Sequence, residues 1–313
     1  MNIKKNYLYN LLYQLLTVSL PLITVPYVSR VLGSNGVGIF AYTSSIVQYF
    51  CLFAMLGIGI YGNQRIATIR DNKIKLSETF FSIYFLQLIM SALSVIVYIL
   101  FLIFFVKSNK FIATIQIINL LASAIDCSWL FSGLEQFRKI VIRNITIKIF
   151  SLLLVFILVK EPGDLPAYTY IMCLATFFGQ LVMWTYVRKS VKFKAFSINK
   201  ITEHIKPTLS YFIPQIAIQI YFILDKTMIG ILSTKSEVGI YEYADKILKI
   251  SLAFVTSLGT VMLPRVANTY SKGDINKVNE YLSKSLDFST LISIPIMFGI
   301  AGIAKEFIPW YLG

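Results

Sequence analysis

The sequence predicts an all-α, polytopic membrane protein built as two helical lobes from a parallel internal repeat, with the second lobe truncated. Three observations carry this. Hydrophobic residues make up 57% of the 313 residues against 14% charged, with a mean hydropathy of +0.71. Apolar stretches of about 20 residues, each long enough to cross a hydrocarbon core as a helix, recur along the chain. Two short motifs repeat in the same order about two hundred positions apart. A soluble domain carries roughly a quarter charged residues, so this composition excludes an ordinary soluble globule. With 16 Gly, 9 Pro and 3 Cys it also excludes disordered, collagen-like and disulfide-scaffold chains.

In order, the predicted spans are 7–31, 37–62, 79–106, 112–134, 141–159, 166–187, 206–232, 239–263 and 286–308, nine in all. Polar breaks separate them, among them Gly33-Ser34-Asn35-Gly36, Lys107-Ser108-Asn109-Lys110, Glu161-Pro162-Gly163-Asp164 and Ser233-Thr234-Lys235-Ser236. The first span is not a signal peptide: it is too long, holds Pro21 and Pro26, and lacks a small-residue cleavage site. Cys51, Cys127 and Cys173 stand far apart inside apolar runs and read as small buried hydrophobes, with neither a disulfide nor a metal site.

Charge sets the orientation. With the N-terminus inside, cytoplasmic segments hold 20 Lys and Arg and outer segments 6, a bias that predicts a cytoplasmic N-terminus. The same asymmetry accounts for the net charge of +14 through loops facing anionic lipid, and nucleic-acid binding is not required. Outer loops are about seven residues or fewer, too short to build an external enzyme site.

Val37-Gly38-Ile39-Phe40-Ala41-Tyr42 returns as Val238-Gly239-Ile240-Tyr241-Glu242-Tyr243, 201 positions later, and Arg65-Ile66-Ala67-Thr68 as Arg265-Val266-Ala267-Asn268, 200 later. An even number of spans separates the copies, so both enter the membrane in the same sense, as in a parallel repeat about the membrane normal. The predicted division is a lobe of six spans over residues 1–200 and the first three spans of an incomplete lobe over 201–313. Completing the repeat requires on the order of 100 further residues, so the sequence is expected to be a fragment.

Ionisable groups at membrane depth are costly and point to function. Glu242, Asp245, Lys246 and Lys249 share one helix face, continued by Thr256 and Thr260; Gln215, Gln219 and Lys226 share another, with Asp225 beside it. Asn10, Gln14, Thr17, Pro21 and Thr24 form a stripe in the first span. These stripes face each other or a polar cavity between the lobes. The three acids and three bases cancel, so they read either as structural pairs or as a cavity with carboxylates available for proton or sodium coupling. Arg30 reads as an outer anchor or a cavity residue. Arg65 and Arg265 read as anchors or as bidentate contacts for an anionic head group. Trp129, Trp184 and Trp310 read as interface anchors. His204 is the one histidine, in a basic loop. No phosphate-binding loop, H-E-x-x-H, paired C-x-x-C or serine nucleophile elbow occurs, and Asn144-Ile145-Thr146 falls on the cytoplasmic side.

Three motifs carry a resemblance: Tyr27-Val28-Ser29-Arg30-Val31-Leu32-Gly33 with Val37-Gly38; Asp126-Cys127-Ser128-Trp129-Leu130-Phe131-Ser132-Gly133-Leu134-Glu135 with Arg143-Asn144 and Lys148; and Leu224-Asp225-Lys226-Thr227-Met228-Ile229-Gly230 with Val238-Gly239-Ile240-Tyr241. Together they resemble the bacterial polysaccharide and O-antigen flippases of the Wzx type, in the superfamily of the multidrug and toxin extruders. The resemblance implies a MATE-like two-lobed bundle. It further implies a transporter, not an enzyme, that moves an undecaprenyl-diphosphate-linked oligosaccharide across the cell membrane by alternating access, for capsule or other surface polysaccharide. Arg30, Arg65, Lys226, Lys246 and Lys249 are then expected to contact the diphosphate. Asp225, Glu242 and Asp245 are expected to orient these bases or carry coupled ions; no cofactor is expected. Implied partners are the lipid-linked oligosaccharide, membrane lipids, and the polysaccharide polymerase and chain-length machinery. Rival readings are a cation-coupled drug exporter, a membrane glycosyltransferase or polymerase, and a structural partner in envelope synthesis.

Overall fold

The computed structural model describes residues 3–192, 198–271 and 273–312, and side chains from Leu20 onward except 198–199, 253–261, 263–265, 267–268 and 271. The side chains of Asn10, Gln14, Thr17, Thr256, Thr260 and Arg265 therefore lie outside the described residues. The chain is all-α, 90% helical, with no strand among the described residues.

Seven helical stretches among the described residues are long and apolar enough to cross a membrane. The predicted first and second spans run together in one helix, α1 (Ile3–Met55), interrupted where Gly33 takes a left-handed φ of 66°. That conformation, open to glycine at no steric cost, kinks the helix at the predicted polar break. After α2 (Ile58–Ile69), α3 (Lys73–Phe104) starts under a side-chain cap: Asn72 Oδ1 accepts from the backbone N–H of Ile74 at 3.1 Å and Lys75 at 3.0 Å. Asn72→Ala is expected to cost about 1 kcal/mol, read as a lower melting temperature of the detergent-solubilised protein.

The predicted fourth span is three short helices, α4 (Lys110–Ile115), α5 (Ile117–Ala124) and α6 (Ser128–Gly133). A broken helix at membrane depth frees carbonyls that lipid cannot satisfy. Side chains from neighbouring helices meet them. Gln87 Nε2 on α3 donates to Ser123 O and Asp126 O, each at 2.8 Å, and Trp184 Nε1 donates to Ile125 O at 2.8 Å. Trp129 Nε1 in turn donates to Gln87 Oε1 at 3.1 Å. Trp129 is 3% exposed, so Trp129 and Trp184 are interior donors, whereas Trp310, 72% exposed, stands at the surface as the sequence predicts.

The helices α7 (Phe137–Leu158), α8 (Leu165–Ser190), α9 (Ile198–Leu232), α10 (Lys235–Ser271) and α11 (Ile275–Leu312) complete the chain. The predicted eighth span lies in α10, which is not among the seven; its first turns carry Lys235, Glu237, Glu242, Asp245, Lys246 and Lys249.

Two compact units divide the chain, one of residues 1–17 and 31–240, the other of 18–30 and 241–313. In the first, α2 packs on α3, α6 and α9, and α8 on α5 and α7. Gly57 lets α9 come close: a Cβ there would lie 2.8 Å from Phe212 N and Thr208 O. The polarity of α3 is inverted. Ser77, Ser82, Gln87, Ser91, Ser94 and Tyr98 are buried, while Leu93, Ile96, Ile99, Leu100 and Ile103 are exposed. Lipid is as apolar as leucine, so close packing and interhelical hydrogen bonds must hold such helices together. In the second unit, Tyr311 Oη donates to Leu22 O at 2.9 Å and Ser29 Oγ to Leu312 O at 2.6 Å.

Candidate functional site

In the second unit, α10 carries Glu242, Asp245, Lys246 and Lys249 at helical spacing on one face, as the sequence predicts. Two ion pairs follow from that spacing: Lys246 Nζ lies 3.3 Å from Glu242 Oε1, and Lys249 Nζ lies 2.7 Å from Asp245 Oδ2. The carboxylates are the more buried partners, at 13% and 15% exposure, while Lys249 reaches 51%. The acids therefore sit at the helix surface nearer the protein, and each lysine extends past its acid. The ammonium groups are the more exposed ends of the two pairs. On a helix surface such i,i+4 pairs contribute only about 0.3–0.5 kcal/mol.

Arg30, also in this unit, is exposed and donates from Nη2 to Trp310 O at 2.6 Å. Trp310 O is one of the last carbonyls of α11, so the guanidinium lies where a helix dipole is most negative. Ser29, the chain neighbour of Arg30, and Tyr311, the chain neighbour of Trp310, also join 18–30 to the end of α11.

In the first unit, Arg65 is exposed near the end of α2, Asp225 is exposed and Lys226 half-buried on α9. Arg65, on α2, lies beside the middle of α9, whereas Lys226 lies in the last two turns of α9. Tyr211 donates to Gln64, the neighbour of Arg65, whereas Thr227, the neighbour of Lys226, meets Ser45 at 3.1 Å and Tyr49 at 3.3 Å. The 15 residues from Tyr211 to Lys226 rise about 22 Å. The two bases, one on α2 and one on α9, are therefore well separated.

Sequence reasoning did not single out a second group of bases. Arg143 on α7 donates from Nη1 to Gln180 Oε1 at 2.7 Å and from Nη2 to Ser128 Oγ at 3.3 Å, while Asp126 Oδ1 accepts from Ser128 N at 2.8 Å. Lys139, one turn earlier, stands over the rings of Phe131 and Tyr186 at 4.9 and 5.0 Å. The motif Asp126–Glu135 with Arg143 was legible as a motif; its joining to Gln180 was not. At the rim of this region Arg70 pairs with Glu135 at 2.7 Å, and the hydrogen bond to that carboxylate raises the guanidinium's proton affinity further. No cluster of His, Cys, Asp and Glu that could hold a metal occurs among the described residues.

The repeated motifs meet in the first unit. Ideal Cβ atoms built on Gly38 and Gly239 each overlap backbone of the other segment: Gly38 meets the Lys235 carbonyl and Gly239 N, and Gly239 meets the Ser34 carbonyl and Gly38 N. Shifting Gly38 and Ser34 by 201 positions gives Gly239 and Lys235, so the two contacts are mates under the repeat. Ser34 Oγ and Ser236 Oγ lie 2.6 Å apart beside them. Lys235 Nζ stands 3.3 Å from the centre of the Tyr42 ring and donates to Gly230 O, and burial lowers its proton affinity.

Among known proteins, the chain is 22% identical over 313 residues to a protein of Escherichia coli (strain K12) named "Putative O-antigen transporter", covering 97% of this chain and 75% of that one. It is 25% identical over 303 residues to a protein of the same name from Shigella dysenteriae, covering 94% and 75%. Over 86 residues it is 33% identical to the "Probable low-salt glycan biosynthesis flippase Agl15" of Haloferax volcanii, 28% of this chain and 18% of that one. No solved structure matches the chain. The family described as "Polysaccharide biosynthesis protein" matches residues 3–270. With that match over most of its length and its series of apolar helices, the chain belongs to the polysaccharide biosynthesis protein family and is a multi-pass membrane protein.

Proposed function

We propose that this protein is a flippase that carries an undecaprenyl-diphosphate-linked oligosaccharide from the inner to the outer leaflet of a bacterial cell membrane, for capsule or other surface polysaccharide. The observation that carries the reading is the family match over residues 3–270, joined by two long-range relatives named for O-antigen transport. The reciprocal Gly38–Gly239 contact supports a parallel repeat and, with it, two lobes that alternate access. The excess of Lys and Arg in the predicted inner loops supports a cytoplasmic N-terminus.

In this reading Arg65 takes the diphosphate at the inner face, and Lys226, Lys246, Lys249 and Arg30 are further anion contacts along the path. Glu242 and Asp245 hold Lys246 and Lys249 extended until phosphate oxygens replace them, and Asp225 stands beside Lys226. Proton or sodium movement through these carboxylates would supply the driving force, and a polysaccharide polymerase would take the product outside.

The test uses cells lacking the complete gene. Lipid-linked oligosaccharide is expected to accumulate with its sugars reachable only from the cytoplasmic side, and restoring the gene to relieve it. Neutralising Arg65, Lys226, Lys246 or Lys249 singly with Gln is expected to lower export about tenfold, equivalent to about 1.4 kcal/mol, with unchanged protein in the membrane. Normal export in all four variants would remove these bases from the path. No accumulation, with raised sensitivity to cationic dyes, would favour a drug exporter.

A further inference from the structure

His204 is the one histidine of the chain and is 6% exposed, enclosed where α9 meets α2 and α3. Both ring nitrogens are occupied: Nδ1 lies 2.7 Å from Tyr61 Oη on α2, and Nε2 lies 2.9 Å from Ser82 Oγ on α3. The Ser82 hydroxyl donates its proton to Thr79 O at 3.0 Å. Its oxygen must then accept from Nε2–H, which leaves Nδ1 with a lone pair that accepts from the Tyr61 hydroxyl. The imidazole is thus neutral, and the atom free to take a proton is Nδ1.

The surroundings give that proton a consequence. Tyr61, which binds Nδ1, and Arg65 are one turn apart on α2, so a proton on Nδ1 and the Arg65 guanidinium are like charges held on neighbouring turns. The other charged or titratable groups from the packed elements are Glu203 beside His204, Tyr211 bonded to Gln64, and Glu78 on α3, which already pairs with Lys200 at 2.8 Å. Glu78–Lys200 and Ser82–His204 join α3 and α9 at matching four-residue steps. Helix α9, 35 residues and about 52 Å long, exceeds a hydrocarbon core of about 30 Å, and its first turns carry Lys200, Glu203 and Lys206, charges that belong in the polar interface within reach of aqueous protons.

We propose that His204 is a proton-binding residue that couples proton uptake to the capture of a diphosphate at Arg65. The proposal rests on the flippase reading. An anion on Arg65 cancels the charge that opposes protonation; a proton then passes from water to Nδ1, and the Tyr61 oxygen turns from donor to acceptor. By linkage the proton strengthens anion binding by the factor that the anion strengthens proton binding. His204 does not touch the ligand and acts through Arg65, as a positioning residue.

The experiment measures binding of undecaprenyl diphosphate to the full-length protein in lipid nanodiscs at pH 6, 7 and 8. The affinity of the unaltered protein is expected to rise toward acid more steeply than that of His204→Gln, by up to about tenfold per pH unit for one linked proton. Glutamine offers an N–H to Ser82 and an oxygen to Tyr61, so it keeps both contacts without titrating. Protonation of the diphosphate itself is common to both proteins and drops out of the comparison. Equal slopes overturn the proposal. If His204→Gln does not accumulate, Tyr61→Phe decides: loss of the partner of Nδ1 is expected to move the midpoint of the pH curve, and an unmoved midpoint overturns the proposal. Failure of the unaltered protein to bind the diphosphate at any pH overturns the flippase reading, and this one with it.

Discussion

Trp129→Ala is expected to destabilise the protein by about 4 kcal/mol, the upper range for truncating a buried aromatic. The indole is 3% exposed and packs against Phe80 with ring centroids 5.3 Å apart. Its face covers Gly62, where even a Cβ would come within 2.6 Å of Cε3. The substitution removes three things at once. It opens a cavity against α2, it takes the donor from Gln87 Oε1, and it loosens the amide that holds the carbonyls of Ser123 and Asp126. An unsatisfied buried acceptor alone costs about 1–3 kcal/mol. The measurement is the melting temperature in detergent together with protein abundance in the membrane, set beside Trp310→Ala, which is expected to be near neutral because Trp310 is exposed. Equal losses for the two tryptophans would show that Trp129 is not the tie of the broken span.

The second large effect is expected at the repeated glycines. Gly38→Leu and Gly239→Leu each place a side chain where the opposing backbone already lies, so the segments must part. Overpacking in a close-packed interior costs about 1–3 kcal/mol, and here the obstruction is backbone that cannot rotate away, so about 3 kcal/mol is expected. The change is expected to reduce the amount of folded protein in the membrane, read as abundance and melting temperature in detergent. Gly59→Ala is the control: nothing lies within 4 Å of the Cβ position there, and on a helix the change is expected to be neutral or stabilising by up to about 1 kcal/mol. Leucine tolerated at Gly38 would mean that the 201-residue repeat is not held by a backbone contact.

Much of the protein was legible in the sequence because lipid imposes simple rules. Apolar runs of about 20 residues must be helices, since no other local structure satisfies the backbone in hydrocarbon, and α3, α7, α8, α9 and α11 fall where those runs predict. The sequence placed Glu242, Asp245, Lys246 and Lys249 on one helix face, with structural pairing as one of two readings, and the structure shows the two i,i+4 ion pairs. The Gly33–Gly36 break coincides with the kink of α1, and the Val37-Gly38 and Val238-Gly239 motifs, read as copies of a repeat, touch in the structure.

Tertiary structure alone decided the rest. Hydropathy made 112–134 one span; it is three short helices because Gln87 and Trp184, distant in sequence, supply the donors that a broken helix lacks. Trp129 read as an interface anchor because amphipathic rings collect at membrane surfaces, but its N–H found Gln87 in the interior. Arg65 and Lys226 read as members of one set of bases, yet Arg65 stands on α2 and Lys226 lies about 22 Å along α9 from Tyr211, which binds the neighbour of Arg65. His204 read as a residue of a basic loop, and α2 and α3 enclose it. Helical periodicity records which residues share a face over a few turns. Which distant donor meets which acceptor is set by the packing of whole helices, and that information is not local to any segment.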